Sequence, residues 1–153
     1  VTWKPNVTVA AVIEQEGRFL FVEETSSDGI VINQPAGHLE AGETLLEAVV
    51  RETLEETGYH FLPEALVGIY YWHAQRKGIT YMRFAFCGKV TRHEADRPLD
   101  DGILRATWMT RETLLAESAR HRTPIVLRCL DDYLAGKHYP LDAVTTLSVA
   151  AQP

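Results

Sequence analysis

The run Arg51-Glu52-Thr53-Leu54-Glu55-Glu56 sets three carboxylates at positions i, i+3 and i+4. On a helix those positions share one face. Three acids crowded on one face repel one another unless a cation or a proton sits among them. Their spacing suits a hard cation, and a glycine-bearing loop, Gly37-His38-Leu39-Glu40-Ala41-Gly42-Glu43, stands just before them. The chemistry this combination suggests is metal-assisted attack on a phosphate.

The helix that carries the acids is expected over about 44–57, with Gly58 where a helix stop belongs. At about 100° per residue, Leu46, Val50, Thr53, Leu54 and Thr57 gather on one side, and Glu52, Glu55 and Glu56 on the other. This predicts a core helix with an acidic outer face. Ala48 falls on the acidic side, where its small side chain would leave room for a ligand. Upstream, residues 7–13 and 19–24 are apolar and β-branched, two strands joined as a hairpin around Gly17. Residues 26–29 read as a loop. Residues 34–37 read as a short extended stretch, because Gln34 precedes Pro35. Downstream, 65–72 and 81–90 read as strands with a turn near Gly78. Residues 93–102 form a polar loop and 103–109 a strand. Thr110 caps a helix reaching Glu117, and Pro124 opens another that ends at Gly136. The order β-β-α-β-β-β-α predicts an α/β fold, a mixed sheet with helices packed on it, in one domain over 1–153 with its core at about 6–136.

The chain holds 21 acids against 15 lysines and arginines in 153 residues, a formal charge of -6. That balance argues against a nucleic-acid duplex as the main partner and leaves a small phosphorylated substrate carried by a cation. Cys87 and Cys129 stand in apolar runs and are expected to be buried free thiols of a reducing compartment. No apolar run reaches about 18 residues, so no helical membrane span is predicted. The opening Val1-Thr2-Trp3-Lys4-Pro5 does not read as a signal peptide, and a cytoplasmic location is expected. Monomer and homodimer both fit the sequence.

Residues 37–59 fit the pattern G-x5-E-x7-R-E-U-x-E-E-x-G-U, where U is bulky and apolar. Gly37, Glu43, Arg51, Glu52, Glu55, Glu56 and Gly58 match, and the U positions hold Thr53 and Tyr59. The segment resembles the signature of the Nudix hydrolases. Thr53 departs from the pattern on the core side of the helix, where it should affect packing more than chemistry. Softer similarity extends to Lys4-Pro5-Asn6-Val7-Thr8-Val9-Ala10, Glu23-Glu24-Thr25, the stretch 33–40, Arg128-Cys129 and 136–140, and points to the NudJ-type branch. The resemblance implies an α/β/α sandwich around a mixed β-sheet. It also implies hydrolysis of phosphate from nucleoside di- and triphosphates or thiamine-related pyrophosphates. It implies Glu52, Glu55, Glu56 and the Ala36 carbonyl as ligands of Mg²⁺, or of Mn²⁺ in its place. Glu43 would hold Arg51 in a charge-assisted pair that fixes loop against helix, and Gly37 would permit a turn. The general base stays open between Glu55, Glu56 and a loop acid, with Asp101 preferred to Asp100.

Residues outside the pattern must select the substrate. His38 is a candidate phosphate contact. Of Tyr70, Tyr71 and Trp72, which alternate across a strand, Trp72 is chosen as the face for stacking a base or pyrimidine. Arg83 stands in an apolar strand, where its charge needs either a phosphate or an internal ion pair. Trp108 is expected in the core. Two other functions fit the same pattern: a nucleoside-diphosphate-sugar or dinucleotide pyrophosphatase, and a non-catalytic nucleotide sensor. The intact set of acids favours an enzyme.

Overall fold

A computed structural model describes residues 1–147. Its elements in chain order are β1 (Asn6–Gln15), β2 (Arg18–Ser26), β3 (Gly29–Asn33), β4 (Ala36–His38), α1 (Leu45–Thr57), β5 (Tyr59–Ala74), β6 (Ile79–His93), β7 (Ile103–Met109), α2 (Arg111–Ala116) and α3 (Ile125–Leu134). β1 pairs with β2 only at Glu14↔Phe19 and Gln15↔Arg18. It then runs parallel to β6, from Asn6↔Tyr81 to Ile13↔Gly88, and antiparallel to β4 on its other side. β2 turns instead to β3 and β7. The strand order is β3-β2-β1-β6-β5, which makes the sheet mixed and puts β1 at its centre.

A central strand covered on both faces must be apolar throughout, and β1 is buried from Thr8 to Ile13. Its residues alternate between two cores. Val9, Ala11 and Ile13 pack with Ala48 and Val49 of α1. Ala10 and Val12 pack with Val126, Cys129 and Leu130 of α3. The result is the expected α/β/α arrangement, and both cysteines are buried and free.

Apart from the pairing of β1, the structure departs from the sequence reading in four places. β3 lay in a stretch given no element. β5 and β6 are longer than predicted, and β6 reaches His93, so the loop before β7 is shorter. Pro63 and Glu64 hide the first half of β5 in the sequence, and the strand accommodates them with register shifts near His60, Pro63 and Leu66. An edge strand tolerates such a proline because one side has no partner. Pro124 stands one position earlier than expected, at the N-cap of α3.

The fourth departure concerns the face of α1. Thr44 caps the helix, accepting from the Glu47 N–H at 3.0 Å, and Gly58 closes it at φ 76°. The buried residues are Ala48, Val49, Glu52, Thr53, Glu56 and Thr57, while Leu46, Val50 and Leu54 are half-buried. Two of the acids therefore lie on the inner face rather than opposite it. Ala48 is fully enclosed and leaves no space for a ligand. Here Glu52 and Glu56 are held against β4 and the cavity beside it. Thr53 is buried as expected, its Oγ1 donating to the Val49 carbonyl at 2.8 Å.

After Gly136 the chain returns to the edge of the sheet. Leu66 and Tyr139 exchange two backbone hydrogen bonds of 2.8 Å, and a short 3₁₀ turn, Leu141–Ala143, follows. Among the described residues no helix is long and apolar enough to cross a membrane.

Candidate active site

Gly37 lies where α1 meets β4. A Cβ built on it would fall 2.1 Å from the Glu52 carboxyl carbon and 2.2 and 2.4 Å from its oxygens. The glycine is needed here for close approach rather than for the turn expected of it. Next to it, the Ala36 N–H donates to Glu56 Oε1 at 2.9 Å. Burial pushes the Glu56 carboxyl up to about 9, against the lowering effect of that hydrogen bond, and Glu52, Glu24 and Asp100 add to the rise. Burial likewise raises the Glu52 carboxyl, opposed by Arg51. Among the described residues no cationic side chain pairs with Glu56.

Arg51 is the hub on the other side of the cluster. Its Nε and Nη2 donate to the two oxygens of Glu43 at 2.9 and 2.7 Å, which makes the bidentate pair predicted between loop and helix. Nη1 donates to Glu52 at 2.8 Å and to Glu55 at 3.2 Å, and Nη2 to the His38 carbonyl at 3.1 Å. Its hydrogen bond with Glu43 holds the Glu43 carboxyl below its usual range.

The loop before β7 enters through Asp100, whose N–H donates to the Glu55 carbonyl at 3.0 Å. Glu52, Glu55 and Asp100 each place a carboxylate oxygen so that all lie within 4.8 Å of one another. The loop acid brought to the cluster is therefore Asp100; the preferred Asp101 follows it in an exposed bend outside the group. No sequence pattern separated these neighbours, since the backbone bond to Glu55 decides between them. Several carboxylates share one guanidinium, and the most buried has none. An all-oxygen set with this excess of negative charge fits a hard divalent cation.

Glu52 and Glu56 border a cavity of about 1060 Å³. Ala36, Gly37, Glu52 and Glu56 line one part, and Trp72, Tyr81 and Arg83 another. Trp72 and Tyr81 are register partners on β5 and β6, with ring centroids 5.9 Å apart and planes at 18°. Tyr81 was missed by the sequence reading; the β5–β6 register is what pairs it with Trp72. Tyr71 points outward and is 68% exposed, while Tyr70 packs toward the core and donates to Asp132 at 2.7 Å. His38 lies at the exposed rim, 6.5 Å from the Tyr81 ring. Arg83 is buried and has no ion-pair partner among the described residues; Gln34 and Asn33 accept its hydrogen bonds at 2.9 and 3.0 Å. Trp108 lies in the half-buried layer, its Nε1 donating to the Tyr59 hydroxyl at 3.1 Å.

Comparison with known proteins matches residues 2–129 to the NUDIX domain family. The chain is 39% identical over 142 residues to the phosphatase NudJ of Escherichia coli K12, covering 93% of this chain and 92% of that protein. A solved NUDIX hydrolase from Nitrosomonas europaea superimposes with a TM-score of 0.92 at 54% identity, over 94% of this chain and 97% of the other. The MutT protein of Methanosarcina mazei Go1 shares the fold, with a TM-score of 0.68 at 24% identity over 90% and 99% of the two chains.

Proposed function

The chain belongs to the Nudix hydrolase family and is an enzyme of phosphoanhydride bonds, and from that premise we propose that it is a Mg²⁺-dependent phosphatase of nucleoside di- and triphosphates or thiamine-related pyrophosphates. The observation that carries the reading is the carboxylate cluster of Glu52, Glu55 and Asp100, whose Glu52 lines the cavity. The likeness to a protein named as a phosphatase supports the choice of activity.

Glu52, Glu55 and Glu56 would hold the cation, with the Ala36 carbonyl as the backbone ligand that the resemblance implies. Bound there, Mg²⁺ or Mn²⁺ would offset charge on the phosphoryl oxygens and make water more acidic. Asp100 is assigned as the acid that accepts the proton of the attacking water, in place of Asp101, because it reaches the cluster and its backbone is tied to α1. Arg51 restrains the carboxylates of Glu52 and Glu55, and Glu43 fixes Arg51. The Trp72–Tyr81 pair offers a flat apolar face for a base or a pyrimidine ring.

The test is a panel of nucleotides and thiamine pyrophosphate with Mg²⁺, with identification of products. Release of orthophosphate from a triphosphate or diphosphate is expected. No release from any member overturns the proposal. Cleavage confined to dinucleotides or nucleotide sugars, giving nucleoside monophosphate, replaces it with the pyrophosphatase reading.

A further inference from the structure

Arg83 on β6 is only 6% exposed, yet among the described residues none of its partners is an anion. Nη1 donates to Gln34 Oε1 at 2.9 Å and touches Cys129 Sγ at 4.0 Å. Nη2 donates to Asn33 Oδ1 at 3.0 Å. Gln34 is 1% exposed and is itself fixed, its Nε2 donating to the Val126 carbonyl at 2.7 Å. Arg51, by contrast, pairs with four carboxylates. Burying a cation without a counter-charge is unfavourable. Neutral amide oxygens can orient the guanidinium but cannot cancel its charge. They also leave part of its donor set unused, because a guanidinium carries more N–H groups than these partners take.

The unused side faces the same cavity as Glu52 and Glu56. Tyr81 and Arg83 are two residues apart on one strand, so both project to the same face, about 7 Å apart along it. The cavity thus presents a flat ring, a buried cation and an acidic cluster together. We propose that Arg83 is a preformed seat for a substrate phosphate, held open by Asn33, Gln34 and Cys129, and that it contributes substrate affinity from the same cavity that Glu52 and Glu56 line. The anion completes a charge balance that the protein leaves unfinished. A planar guanidinium also selects phosphate oxygens by geometry, which a lysine cannot do. The identity of the anion as a substrate phosphate rests on the hydrolase reading above; the existence of the seat does not.

The experiment measures binding without turnover. A methylene-bridged, non-hydrolysable nucleoside diphosphate analogue is titrated by calorimetry in Mg²⁺ against wild type, Arg83→Gln and Arg83→Lys. Wild type should bind. Arg83→Gln, which can still donate to the amide oxygens, should bind at least tenfold more weakly, and Arg83→Lys several-fold more weakly. The thermal midpoint of unliganded Arg83→Gln should stay close to wild type while its ligand-induced rise is lost, which a purely structural arginine would not produce. If Arg83→Gln does not fold, Arg83→Lys carries the comparison. In steady state with any active substrate, KM should rise more than kcat falls. Binding by the folded variants within twofold of wild type overturns the seat. If the wild type binds the analogue through Arg83 yet hydrolyses nothing, the hydrolase reading fails and the seat stands.

Discussion

Glu55 is the most exposed of the three helix acids, its side chain 31% accessible beside Arg51. Glu55→Gln keeps the shape and removes the charge, so turnover should fall by roughly 10²- to 10⁴-fold with the circular dichroism spectrum unchanged; near wild-type rates would remove its role. Asp100 and Asp101 make an internal control, since only the first reaches the cluster. Asp100→Asn should lose most of kcat and Asp101→Asn little, and the reverse order would return the assignment to Asp101. Gly37→Ala tests close approach. Its methyl would fall 2.1 Å from the Glu52 carboxyl carbon, so it should cost about 1–3 kcal/mol of stability and weaken binding in a Mg²⁺ or Mn²⁺ titration; unchanged metal affinity would show that Glu52 can move aside. At this scale the sequence carries the spacing of the acids and not their surroundings. The spacing of Glu52, Glu55 and Glu56 pointed to a cation. It did not show that two of them are buried, because burial comes from β4 and the glycine beneath them. The partners of Arg83 were equally out of reach, since Asn33 and Gln34 meet it only across the folded sheet.

Among the elements, α1 was the most legible. Thr44, the apolar period and Gly58 are local signals, and the helix starts and stops where they stand. β5 was the least legible, since Pro63 and three register shifts break its pattern, and its pairing depends on β6 rather than on its own residues. The β2–β7 pair is joined by a surface ion pair that can be titrated. Arg105 donates to both Glu23 oxygens at 3.1 and 3.2 Å, and this hydrogen bonding holds the Glu23 carboxyl below 4.5 despite burial. A depressed folded-state pKa contributes stability that is present above the unfolded value and is lost as pH falls through the folded one. Arg105→Ala should therefore lower the thermal midpoint at neutral pH, with the difference from wild type shrinking as pH falls below the ordinary glutamate range and lost once Glu23 is protonated in the folded protein. A constant difference across that range would show that Arg105 acts through packing alone.

At the scale of the molecule, the edge strand β5 is partly closed by the chain that follows α3, through the paired backbone bonds of Leu66 and Tyr139. Ending the chain after Lys137 would leave that edge open beside exposed Ile69 and Tyr71. The truncated protein should melt at lower temperature and self-associate with rising concentration, seen by light scattering; unchanged mass and midpoint would make the segment dispensable. The mixed sheet was legible from the order of elements, but its centre was not. A hairpin was expected to bind β1 to β2 along their length, and β1 instead spends most of its length parallel to β6. That choice has a consequence during synthesis. β1 leaves the ribosome well before its partner β6, which starts at Ile79 and emerges only after α1 and all of β5. At about 5–20 residues per second the wait is roughly 3–15 s. For that interval β1 holds only its short pairings with β2 and β4, and the long edge that β6 will cover stays open.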